Sequence, residues 1–66
     1  MLTWQVLPDG EWRSGPFRVV PYTEVTGGAV TDRGWRLFRG RLLLERFSSL
    51  TEAMESAETT FTAEAR

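Results

Sequence analysis

The chain has 66 residues, eight arginines against nine acids, a formal net charge of −1, and no lysine, histidine or cysteine. That length makes one domain that buries only about 60% of its unfolded surface, so stability is marginal and self-association is a common supplement. Disulfides and the usual zinc and thiolate sites are excluded, no cofactor is expected, and the net charge gives no global attraction to nucleic acid.

Met1-Leu2-Thr3-Trp4 shows neither a basic n-region nor an apolar h-region, so no signal peptide is expected. No apolar run approaches the roughly 20 residues of a membrane span. Trp4 and Val6 alternate with Thr3, Gln5 and Leu7 as in a strand, and Pro8-Asp9-Gly10 supplies turn chemistry. Glu11-Trp12-Arg13 returns as a second strand, broken or bulged by Ser14-Gly15-Pro16. Phe17 to Val25 resumes the extended pattern, with Phe17 and Val19 on one face and Arg18, Val20 and Tyr22 on the other. Pro21 marks this segment as an edge or as bulged. Thr26-Gly27-Gly28 and Asp32-Arg33-Gly34 read as two further turns around a short Ala29-Val30-Thr31 piece.

With Arg39-Gly40 as a two-residue hairpin loop, Phe38 faces Arg41, Leu37 faces Leu42, Arg36 faces Leu43 and Trp35 faces Leu44. Opposed residues share a face, so Trp35, Leu37, Leu42 and Leu44 point into a core. Ser49-Leu50-Thr51-Glu52 matches a capping box, with Ser49 as N-cap and Glu52 reaching back. Leu50, Ala53, Met54, Ala57 and Phe61 then form an apolar helical stripe, and Thr59, Thr60 and Thr62 predict a frayed last turn.

The expected class is α+β. It is an antiparallel three- or four-stranded β-meander within residues 2–47, with one C-terminal helix, about 50–63, packed on one face. Trp4, Val6, Trp12, Phe17, Val19, Trp35, Leu37, Leu42, Leu44, Leu50, Met54, Ala57 and Phe61 make its core.

Enzyme chemistry finds no support in the residue types. There is no nucleophile with a base, no Gly-rich phosphate loop and no metal-ligand set, and Glu52, Glu55 and Glu58 lie on the solvent side of an amphipathic helix. The sheet face left uncovered by the helix is the candidate site: Arg18, Val20, Tyr22, Arg36, Phe38, Arg41 and Leu43. Cations mixed with large apolar groups suit recognition of another protein. The same set also reads as a solvated face on which arginine stems cover apolar groups and cation–π contacts tie them together.

The order of features resembles a class of small phage and prophage proteins. The residues that carry the likeness are Trp4, the Asp9-Gly10 turn followed by Trp12, the "GWRLF" strand and the "SLTEAMESAE" helix opening. The likeness implies a binding protein of the bacterial cytoplasm, acting as a host-takeover or anti-CRISPR-like inhibitor. Look-alikes include integrase arm-binding domains, which lay a sheet in the DNA major groove. Arg18, Arg36 and Arg41 would fill that role here, against an acidic helix and a pI near 5.3. A homodimer or a structural self-associating module completes the alternatives.

Overall fold

A computed structural model describes residues 2–65. The elements run β1 (Gln5–Val6), β2 (Trp12–Ser14), β3 (Phe17–Thr26), β4 (Ala29–Arg39), β5 (Leu42–Phe47) and α1 (Leu50–Glu64). The strands form one antiparallel sheet in sequential order, five strands rather than three or four, and α1 lies across β3, β4 and β5.

Turn chemistry sets this meander. Gly10 has φ +90°, and its N–H donates to the Leu7 carbonyl at 3.0 Å. The Asp9 side chain accepts the Glu11 N–H at 3.0 Å, closing an Asx-type turn between β1 and β2. The tip between β3 and β4 places Gly27 and Gly28 at φ +60° and +82°, the primed geometry that matches strand twist.

Asp32-Arg33-Gly34 is not a turn: β4 runs straight through it and joins the Ala29–Thr31 piece to Trp35 in one eleven-residue strand. Gly34 is there for close approach. A Cβ at that position would sit 2.5 Å from the Phe47 carbonyl oxygen and 3.1 Å from the Tyr22 ring.

The hairpin after β4 turns on Gly40-Arg41, not on Arg39-Gly40, so Arg39 opposes Leu42 and Phe38 opposes Leu43. Gly40, at φ +61°, takes the first central position. A bulge then leaves Leu44 as the extra residue, and Leu37, Arg36 and Trp35 oppose Glu45, Arg46 and Phe47. The bulge places Phe47, rather than Arg46, beside Trp35 on the helix side. Leu42 and Leu44 are consequently exposed and are not core, and Val6 is exposed too.

The core is smaller than expected: Phe17, Val19 and Leu37 from the sheet, and Ala53 and Ala57 from the helix, are fully buried. Small side chains at 53 and 57 let α1 approach the sheet closely. Leu2, Trp4, Trp12, Trp35, Phe47, Leu50 and Phe61 pack around them, half-buried.

Ser49 caps α1 by accepting the Glu52 N–H at 3.2 Å, as its position predicts. The expected reciprocal bond from Glu52 back to the Ser49 N–H is not made among the described residues; the Glu52 carboxylate accepts from the Ser48 hydroxyl at 3.4 Å instead, so only half of the capping box forms. α1 is helical as far as Glu64, where Arg39 holds the Glu64 carboxylate with bonds of 2.7–3.0 Å and the Ala65 N–H donates to the Phe61 carbonyl. Among the described residues no helix is long and apolar enough to cross a membrane.

Candidate functional site

Strand alternation and pairing decide which side chains share the sheet face opposite α1. Phe17, Val19 and Leu37 point into the core, so Arg18, Val20, Tyr22 and Glu24 of β3 point away from it. Their partners across the β3–β4 ladder are Phe38, Arg36, Gly34 and Asp32. β5 adds Leu43 beside Phe38 and Arg46 beside Arg36, and β2 adds Arg13 beside Arg18.

Two guanidinium–ring stacks organise this face. The Arg18 Cζ lies 4.9 Å from the Phe38 ring centroid, and the Arg36 Cζ lies 4.7 Å from that of Tyr22. Stacks of this kind contribute about 0.5–1 kcal/mol where exposed. Tyr22 settles over Gly34, which has no side chain to lift it, and its hydroxyl donates to Asp32 Oδ2 at 3.3 Å.

Beneath the other end lies a buried carboxylate. Glu11 is only 6% exposed, yet its two oxygens face two cations: Arg13 through Nε and Arg18 through NH1 at 3.1 Å. Arg13 and Arg18 stand directly opposite each other, an unfavourable like-charge pairing that a shared carboxylate offsets. Arg18 NH2 also donates to the Gly40 carbonyl at 3.4 Å, tying β3 to the β4–β5 turn. Arg46 reaches Glu24 at 3.7 Å.

The structure thus brings six of the seven expected site residues, Arg18, Val20, Tyr22, Arg36, Phe38 and Leu43, onto one face. Arg41 is not among them: it occupies the β4–β5 turn, because that turn sits one residue later than Arg39-Gly40. Phe38 opposes Arg18 and Leu43, and Leu43 does not oppose Arg36. Glu11, Arg13, Glu24, Asp32 and Arg46 also belong to the face and lie outside the expected set. Alternation outward from Trp12 would have found Glu11 and Arg13, whereas Arg46 needs the turn and the bulge.

The side bearing α1 has the opposite character, with Glu52, Glu55, Glu58 and Glu64 on the helix. Glu58 accepts the Leu2 N–H at 2.8 Å and so helps to bind the N-terminal segment down. Between them, Leu2, Trp4, Thr51, Met54, Glu55 and Glu58 line an open apolar hollow of ≈ 270 Å³. A second hollow of ≈ 200 Å³ lies beside Pro21, Arg33 and Trp35. Among the described residues no three acidic groups converge as metal ligands would. What the arrangement offers chemically is a surface of cations and apolar groups, interspersed with the carboxylates of Glu11, Glu24 and Asp32.

No family model matches the chain, and no curated protein or solved structure matches it either.

Proposed function

We propose that the chain is a non-enzymatic binding protein that docks another protein on the open sheet face. In this reading it acts within the bacterial cytoplasm like the small phage proteins it resembles, by occupying a surface of a host protein. One observation carries the proposal. The helix covers one side of the sheet, and the other side presents Val20, Phe38 and Leu43 in contiguous rows with Arg18 and Arg36 fixed on rings. Rigid arginine and aromatic groups lose little freedom on binding, which is why they dominate interface energetics.

Duplex DNA suits this face less well, because Glu11, Glu24 and Asp32 share it with the arginines. The test is affinity capture from a bacterial lysate treated with nuclease. One protein should be retained, lost from Phe38→Ala and kept by Val25→Ala. Capture abolished by nuclease, with submicromolar and steeply salt-dependent binding to duplex DNA, overturns the reading. Sedimentation over a hundredfold concentration range separates a second copy of this chain from a foreign partner.

A further inference from the structure

The arginines of the open face are not equivalent. Arg13 and Arg18 are held by the buried Glu11 carboxylate, and Arg46 lies 3.7 Å from Glu24. Arg36 makes neither an ion pair nor a hydrogen bond among the described residues, although it is half-buried and stacked on Tyr22. It also stands directly opposite Arg46, a like-charge cross-strand pair that no carboxylate bridges. Its orientation is fixed in advance: Asp32 holds the Tyr22 hydroxyl, and Gly34 lets the ring lie low. Stacking occupies one plane of the guanidinium and leaves its N–H edges free for the paired bonds that a carboxylate accepts.

Resting on the protein-binding reading above, we propose that Arg36 receives one Asp or Glu carboxylate of the partner. The partner's apolar residues flanking that carboxylate seat on Val20, Phe38 and Leu43. A single carboxylate fits the charge pattern, since Arg36 is the one cation of the face that lacks an acidic partner among the described residues. A polyanionic backbone does not: charges spaced at roughly 1.7 Å along a duplex would fall on Glu24 and Asp32 as well.

Panning a library of random linear peptides displayed on phage against the folded chain tests this. Recovered peptides should share an acidic residue beside Leu, Phe or another large apolar residue. They should lose about thirtyfold in affinity on Arg36→Ala, as a hot-spot arginine does, and keep their affinity on Arg39→Ala on the helix side. Arg36→Gln supplies a second variant, and an unchanged melting temperature checks that each is folded. Peptides without a carboxylate, or bound equally well by Arg36→Ala, overturn the proposal. If those peptides still require Phe38, the docking face stands and only its carboxylate partner falls. Recovery of no peptide, or of peptides indifferent to both residues, overturns both readings.

Discussion

The two halves of the β3–β4 hairpin are one antiparallel ladder, interrupted only by a register shift between Glu24 and Val25, in very different surroundings. In the proximal half, Phe17, Val19 and Leu37 are sealed under α1, while β2 and β5 pair along the two flanks. In the distal half, from Thr23 to Asp32, every residue is exposed on both faces, and the opposed pair Val25 and Val30 are 61% and 54% exposed. This half projects as a finger and makes the molecule 46 Å long but only about 22 Å across. Hydrogen bonding without burial, from the ladder and from Thr31 to the Glu24 carbonyl, therefore sets the shape of a strand here, while burial sets how much it contributes to stability.

The sharpest way to break this comparison is to truncate an apolar residue in each half. Leu37→Ala should cost about 2–5 kcal/mol and Phe17→Ala about 3–5 kcal/mol, enough to abolish the thermal transition of so small a fold. Val25→Ala and Val30→Ala should each stay within about 0.5 kcal/mol in a denaturant melt. Similar losses in both halves would mean that the finger is part of the cooperative core.

Glycines sharpen it next. Gly34→Ala forces a methyl group against the Phe47 carbonyl, which overpacking precedents place at about 1–3 kcal/mol. At the tip, Gly27→Ala meets no atom and bears only the left-handed backbone, about 1–2 kcal/mol. The first variant should also shift the Tyr22 ring resonances, whereas the second should leave them in place.

Smaller effects come from the helix ends. Ser49→Ala should lower stability by about 1 kcal/mol through loss of the cap. A double-mutant cycle on Arg39 and Glu64 should return about 0.2–1 kcal/mol that declines with added salt, since both side chains are well exposed. A coupling near zero would mean that this ion pair does not help to hold the last turn.

The sequence marks its helix clearly because Ser49 and the Leu50–Phe61 stripe carry local signals that need no tertiary information. It marks the faces of β3 for the same reason, since alternation is local. The β4–β5 register is another matter. Glycine can take either central position of a two-residue turn, so Arg39-Gly40 and Gly40-Arg41 are both chemically sound. The choice depends on whether Phe47 reaches Trp35, a contact made only in the folded chain. Asp32-Arg33-Gly34 misleads in a similar way. Its composition is that of a turn, but Gly34 answers to the Phe47 carbonyl and the Tyr22 ring rather than to a bend. On the candidate site, Arg18, Val20 and Tyr22 of β3 are legible from alternation, Glu24 of the same strand is not in the expected set, and Arg41 and Arg46 exchange roles with the register.

The bulge at Leu44 has a bearing on how long the protein stays in solution as separate molecules. β5 forms one margin of the sheet, and Leu42, Leu43 and Leu44 lie exposed along it. A regular strand of that composition would offer an evenly spaced row of free amides and carbonyls, the template on which fibrils grow. The extra residue interrupts that spacing midway, and Glu45 and Arg46 follow it with charge. An incoming strand would therefore lose its register after a few bonds, so the irregularity that carries Phe47 into the core also discourages polymerisation.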